Sequence, residues 1–432
     1  MYTESYTDMN YGATQDISTA FKTSFIPDLD QAIETAKYKL LELQSEEGYW
    51  VFELEADCTI PAEYIMMMHY LDDIDEQLQS KIAAYLRARQ SADGSYPLFE
   101  GGEGDISCSV KVYYALKMAG DSPDAPHMAR LRQYILTQGG AAKANVFTRI
   151  ALAIFEQLPW RGVPYIPVEI MLLPKWFPFH IDKVSYWSRT VMVPLFILCT
   201  LKAKAKNPHN VDVLELFLVH PDEERHYFPE RTLLNKFFLF LDQLGRCTRF
   251  LIPDSMHQRA IEKAKNWFIE RLNGEDGLGG IFPAMVNAYE AMLLLGMPED
   301  HEQVRTARKA LEKLLVIRDQ EAYCQPCLSP VWDTGLAALA LQEADLEGTK
   351  ESLDHAYGWL QSKQLSDEPG DWRIARPDIE GGGWAFQFAN PYYPDVDDTA
   401  VVAFAMAGSK FTNKLDESIH RATRWIVGMQ SQ

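Results

Sequence analysis

One short grammar recurs along this chain and limits what it can fold into. An apolar segment closes on a glutamine, and a few residues later a glycine turn leads into an aromatic. Leu43-Gln44 runs through Gly48 to Trp50, and Gln90 runs through Gly94 to Tyr96. Trp359-Leu360 with Gln364, Gly370 and Trp372 gives a third case with a longer turn. A fourth opens at Trp425 and reaches Gln430, while Arg271 to Gly277 keeps the turn without the Gln or the aromatic. A glutamine closing a helix can bond the carbonyl and N–H groups that helix ends leave open, and a tryptophan beyond the turn can stack over its amide. The pattern predicts helical hairpins tied end to end at intervals of about 50 residues, which suits an α-solenoid or a closed α/α barrel.

Between these marks the segments 65–71, 110–118, 286–295, 335–341 and 399–407 read as apolar helices. Strand-like alternation is scarce, so the expected class is all-α. Pro and Gly cluster over 159–178, and the polar stretch 202–210 reads as a surface connection. A Cys- and Pro-rich turn from Tyr323 to Pro330 marks a change of domain, giving a leading segment over 1–40, a first domain over 41–325 and a second over 326–432. The apolar run Val191 to Leu201 is shorter than the ~18 residues a membrane-spanning helix needs and reads as a core helix.

A formal net charge of −20 argues against a nucleic-acid partner and against electrostatic docking on anionic lipid, so any membrane contact would rest on apolar area. Met1 to Asp16 is polar and lacks the apolar core of a signal peptide; with six scattered cysteines, the chain reads as a reducing, cytosol-facing protein. Cys324-Gln-Pro-Cys327 has metal or redox spacing, but without a second Cys or His pair it reads as two small thiols before a helix. Ten Trp, 20 Tyr and 21 Phe exceed what an aliphatic core needs and point to an aromatic-lined cavity.

The stretch PDVDDTAVV places Asp395, Asp397 and Asp398 at the mouth of a helix that is apolar on every face. One aspartate would suffice as an N-terminal cap. Three imply that at least one carboxyl projects inward, where like charges cannot all ionise and one proton is retained and shared. A catalytic acid, a cap and a Mg²⁺ site are the readings the spacing permits. The flanking GGGWAFQFANPYY carries no Arg or Lys for a diphosphate, and its aromatics suit a cationic organic partner.

PDVDDTAVV, GGGWAFQFANPYYP, LSPVWDTGLA (328–337), VSYWSRTVMVPL (184–195), PAEYIMMM (61–68) and the Gln-to-Trp repeats together resemble the bacterial squalene-hopene cyclases, from about Leu29 onward. The resemblance implies a class II triterpene cyclase of two α/α barrels, the second incomplete in this chain, with a channel into a large apolar cavity and neither metal nor organic cofactor. It implies that Asp397 protonates the terminal alkene of squalene while Asp395 and Asp398 hold and tune it, and that a carbocation then closes ring by ring to hopene or hopanol. Ring faces can stabilise such a cation without reacting with it, at about 2 kcal/mol or more per desolvated contact. By the same resemblance Trp187, Trp332 and Phe386 line the cavity, Ile281 in GLGGIFPAM lies near the channel constriction among the substrate-contacting residues, and Glu63 helps to position the water that ends the reaction. Lys111 and Phe282 depart from residues that type members of the family can carry, which bears on the polar network at the product end.

The resemblance further implies monotopic contact with the cytoplasmic side of the cell membrane, for which the Phe-rich 233–241 is the candidate anchor beside a core-helix reading, and it is compatible with a homodimer. Asp72-Asp73-Ile74-Asp75-Glu76 imitates a metal-dependent terpene synthase signature but reads as a solvated helix start. The sequence stops in mid-repeat at Met429–Gln432, and the expectation is a piece of a longer protein. Two other functions stay open: a class II cyclase of a prenyl diphosphate, and an inactive isoprenoid-binding protein on the same scaffold.

Overall fold

The computed structural model describes residues 15–430 apart from 179, 229–231, 346–347, 367–369, 375 and 410–411. The polar N-terminal stretch up to residue 14 lies outside them. Among the described residues the helices are α1 (Gln15–Leu43), α2 (Thr59–Leu71), α3 (Glu76–Ala88), α4 (Ile106–Met118), α5 (Pro126–Thr137), α6 (Val146–Ile154), α7 (Tyr186–Leu201), α8 (Leu233–Thr248), α9 (Asp254–Ile269), α10 (Phe282–Leu294), α11 (Glu302–Glu312), α12 (Pro330–Asp345), α13 (Lys350–Lys363), α14 (Val396–Gly408) and α15 (Thr412–Met429). Strand structure among these residues is one short antiparallel pair, β1 (Leu315–Ile317) and β2 (Ala322–Cys324), with Val316 opposite Tyr323.

Two layers follow from the hydrophobic pattern. Helices α2, α4, α7 and α10 are buried around most of their circumference and pack in the order α4, α2, α10, α7. The more polar α3, α5, α9 and α11 cover them, each with one apolar face turned inward. A second, smaller core joins α12 and α14 on the inside to α1, α13 and α15 on the outside. The segment 191–201, expected as a core helix, lies within α7. No described helix is long and apolar enough to cross a membrane.

The glutamine grammar has a shared hydrogen-bond frame. Gln44 Nε2 donates to Gly48 O (2.8 Å) and to Ser352 O (2.9 Å), and Gln90 Nε2 donates to Gly94 O (3.1 Å) and His127 O (2.9 Å). Each amide ties its own glycine turn to a carbonyl at the start of a neighbouring outer helix. The third case corrects the sequence reading. Gln364 Nε2 donates to Gly382 O (2.8 Å) and Ser418 O (2.9 Å), so the turn is Gly382-Gly383-Trp384 and not Gly370-Asp371-Trp372. In all three the aromatic two residues after the glycine reaches back to the carbonyl four residues before the glutamine: Trp50 to Leu40, Tyr96 to Leu86, Trp384 to Leu360. At 271–277 the amide is shortened, not lost, for Asn273 Nδ2 donates to Gly277 O at 3.2 Å.

The first of these ties links the chain's early residues to the second core. The first core spans Cys58 to Cys324, while Trp50 packs in the second core with Val331, Leu341 and Trp384, beside Leu40, Leu41 and Tyr49. Trp50 N–H donates to Thr334 Oγ1 (2.9 Å) on α12.

Candidate active site

The same frame that anchors Tyr96 and Trp384 delivers the acidic turn. Tyr96 N–H donates to Ser109 Oγ on α4 (3.1 Å), and Trp384 N–H donates to Thr399 Oγ1 on α14 (3.0 Å). Four residues before each hydroxyl sits an N-cap aspartate whose backbone N–H bonds the aromatic's carbonyl: Asp105 to Tyr96 O (2.9 Å), Asp395 to Trp384 O (2.8 Å). The two caps then diverge. The Asp105 carboxylate accepts Cys108 N–H at 2.8 Å, as an N-cap should, whereas Asp395 makes no side-chain cap bond. Its carboxyl is engaged instead by the Trp187 side chain and the Phe386 backbone.

Burial dominates the electrostatics here. Desolvation, reinforced by the Asp397 charge, pushes Asp395 up to about 7 against the opposing bonds from Trp187 and Phe386. Asp398 is 2 % exposed, its Oδ1 has no hydrogen-bond partner, and burial followed by repulsion from Asp395 and Asp397 pushes it up to about 8. Burial thus favours the protonated form of both carboxyls. The carboxyl that projects inward is that of Asp398, whereas Asp397 is exposed. Successive helical residues point about 100° apart, so a backbone that turns Asp398 inward turns Asp397 out. Asp397 shares its face of α14 with exposed Val396, Ala400 and Phe404.

Trp187 and Phe386 are half-buried and meet the cluster as described. Tyr393, next to the turn, stacks on Tyr186 (4.7 Å between centroids, 6° between planes) and meets Trp187 edge-on at 5.7 Å. Tyr186 OH donates to Asn390 Oδ1 (2.9 Å). Trp332 is half-buried on α12 but has no hydrogen bond or ring contact with the cluster among the described residues. Ile281 precedes α10, half-buried, beside glycines that press on the site's own strap: a Cβ on Gly280 (φ +64°) would lie 2.4 Å from Gln387 Cγ, and Gln387 Nε2 donates to Gly279 O at 3.0 Å.

From the acid cluster α7 and α10 run to a cavity of about 330 Å³. Trp187, Val191 and Leu195 fall four apart on one face of α7, so the face that begins beside Asp395 reaches the cavity wall at Val191, about 6 Å further on, and follows it to Leu195. The lining is mostly apolar, with Ile60, Met66, Ile150 and Val286 among its members. Glu63 lies in it and pairs with buried Lys111 at 2.5 Å, so the lysine that departs from the family pattern supplies the counter-charge to Glu63. Phe282 is fully buried.

Other acidic and thiol groups have structural employment. Asp75 caps α3 by accepting Leu78 N–H (2.9 Å), and Asp73 pairs with Arg308 (2.6 Å), which fits a helix start. Cys324 and Cys327 are free thiols, the first buried in β2.

The comparisons with known proteins decide the family. The squalene-hopene cyclase N-terminal domain model matches residues 33–320, and the squalene-hopene cyclase C-terminal domain model matches 328–432. The chain belongs to the squalene-hopene cyclase family. It is 48% identical to a squalene-hopene cyclase of Zymomonas mobilis over 97% of this chain and 65% of that protein. For a squalene-hopene cyclase of Bradyrhizobium diazoefficiens the figures are 49%, 93% and 62%, and for one of Schizosaccharomyces japonicus 44%, 97% and 65%. The chain thus spans less than two thirds of the length of these relatives. The junction between the two squalene-hopene cyclase domain models falls where the first core ends at Cys324 and the second begins near Val331.

Several site residues escaped the sequence reading. Tyr186, Asn390 and Tyr393 buttress the turn, and the buried Asp371 accepts bonds from Arg271 (2.7 Å) while its backbone N–H donates to Tyr392 O (2.9 Å). Only the adjacency of Tyr392-Tyr393 to the acids signalled any of this.

Proposed function

We propose that this chain carries the initiating machinery of a squalene cyclase, which protonates a terminal alkene and lets the polyene close to a pentacyclic hopene or hopanol. The observation that carries the reading is a pair of carboxyls beside an indole ring, Asp395 and Asp398, whose protonated forms are favoured first by burial and then by the neighbouring carboxylates, so that both hold a proton over a far wider pH range than a free aspartate. They supply Asp397 with a proton and disfavour its escape as a bare charge. In the step itself the Asp397 O–H bond breaks, a C–H bond forms at the alkene terminus, and the positive charge passes to the substituted carbon. Trp187 and Phe386 offer ring faces to that charge without offering it a nucleophile. A cation formed in water is quenched at once, so the reading requires the open Asp397 face of α14 to be covered during turnover.

The test incubates the natural full-length protein and its Asp397→Asn variant with squalene and analyses the extract by gas chromatography. Polycyclic product from the parent and none from the variant is expected, with the variant shown by its circular dichroism and unfolding transition to be folded like the parent. Product from both sinks the donor assignment, and product from neither sinks the cyclase reading.

We infer as well that α8 meets a membrane on its cytoplasmic side. Leu233, Phe237, Phe240 and Leu244 stand exposed along it, and Phe250 and Leu251 extend the patch. A hydrocarbon substrate dissolves in lipid and not in water, which gives such a patch a purpose. Leu234 and Phe238 of the same stretch have side chains outside the described residues.

A further inference from the structure

One buried acid is used by nothing described so far. Glu290 is the one acid on α10, a mostly apolar helix, and is 8 % exposed. Its carboxyl has no hydrogen-bond partner among the described residues, and it opens into the cavity that also holds Glu63 and Lys111. An unpaired buried acid costs stability and adds nothing to packing that a leucine would not. Its position at the end of the cavity remote from the Asp cluster gives it a chemical use: Ile281 beside the acid segment and Glu290 in the cavity wall are nine residues apart, about 13 Å of helix.

We propose that Glu290 is the specificity-determining residue of the terminating step, its carboxyl deciding whether the last cation loses a proton or captures water. The assignment rests on the cyclase reading above. With Glu290 ionised, a C–H bond beside the cationic carbon breaks, its electron pair closes the alkene, and the proton goes to a Glu290 carboxylate oxygen. With Glu290 protonated, that oxygen is taken. The acid then orients a water as both donor and acceptor, the water's lone pair forms the C–O bond, and its surplus proton passes to the Glu63 carboxylate.

The surroundings fix the direction of the pH dependence. Burial, then the charge of Glu63, pushes Glu290 up to about 8. The groups facing it are Glu63 and Tyr70 from α2 and Lys111 from α4, the lysine being paired to Glu63. From α7 come only Val191 and Leu195, and on α11 Arg308 faces Tyr289. Below about pH 8 the alcohol is therefore favoured, and above it the alkene gains. Both products arise from one cation, so their ratio is independent of how fast the Asp cluster starts the reaction.

The experiment measures the alkene-to-alcohol ratio from squalene between about pH 6 and about pH 10 for the natural protein, Glu290→Gln and Glu290→Asp. The parent's ratio should rise several-fold across the range, Glu290→Gln should hold the low-pH ratio throughout, and Glu290→Asp should restore the slope. A flat profile in the parent overturns the assignment even if Glu290→Gln does not fold. An unaltered slope in a fully active Glu290→Gln overturns it too, while leaving the cyclase reading standing. No cyclised product from the parent overturns both.

Discussion

Asp398 is a carboxylic acid that the fold holds against its own chemistry. An aspartate ionises near 3.9 when unfolded and at about 8 here, so between those values the native state binds more protons than the unfolded one. Stability then falls as pH rises through that window, and the penalty is absent below about pH 4. Asn cannot ionise. Asp398→Asn should match the parent near pH 4 and exceed it near pH 8 by on the order of a few kcal/mol, read from urea midpoints at the two pH values. A variant weaker than the parent at pH 8 would mean that a partner holds the carboxylate form. Sequence made the three acids legible as a set, but not which of them is buried. That depends on the 100° step between neighbours and on which face of α14 meets α12 and α15, neither of which has a compositional signature. Glu290 was more legible: a single acid in MVNAYEAMLLL gives the same signal as Glu63 in PAEYIMMM, and only Glu63 had a family motif to draw the eye.

At the scale of elements, each repeat is a glutamine, a glycine turn, an aromatic and a hydroxyl on the next inner helix. Where these follow at short spacing, as at Gln44 and Gln90, sequence displays the unit directly. At Gln364 the glycine lies eighteen positions on, at Gly382, and Gly370 with Trp372 imitates the expected turn inside that insertion. Asp105 and Asp395 occupy one position of this unit and differ only in the side chain: the backbone frame is the same, while the Asp395 carboxyl is free of the cap bond that Asp105 makes. Gln90→Leu and Gln364→Leu each remove two bonds between helix ends and should each cost about 1–3 kcal/mol in chemical denaturation. Their effects on turnover should differ. Gln364 braces the turn that carries Trp384, and hence Asp395, whereas Gln90 belongs to the unit whose aspartate remains a cap. Equal losses of cyclisation rate would argue that the bracing is general to the fold.

Over the whole molecule, exposed apolar side chains form a run on α8 and the turn after it, and Val396 and Phe404 stand exposed on α14. The all-α class was readable from periodicity, the family from its motifs, and a change of unit from the Cys- and Pro-rich turn before Pro330, but not that residues 40–50 pack in a core whose other members lie beyond residue 330. Phe237→Asp with Phe240→Asp should abolish co-flotation with zwitterionic phosphatidylcholine vesicles while leaving the thermal midpoint within a few degrees, since both side chains already face outward. Retained flotation would move the lipid contact elsewhere. The bond from Trp50 to Thr334 spans 284 positions, and it sets a schedule on the ribosome. At about 5–20 residues per second, the indole near the N-terminus emerges about 15–60 s before the threonine it needs. The Cys58–Cys324 body can consolidate in that interval, so the earliest part of the chain to be made is among the last to find its place.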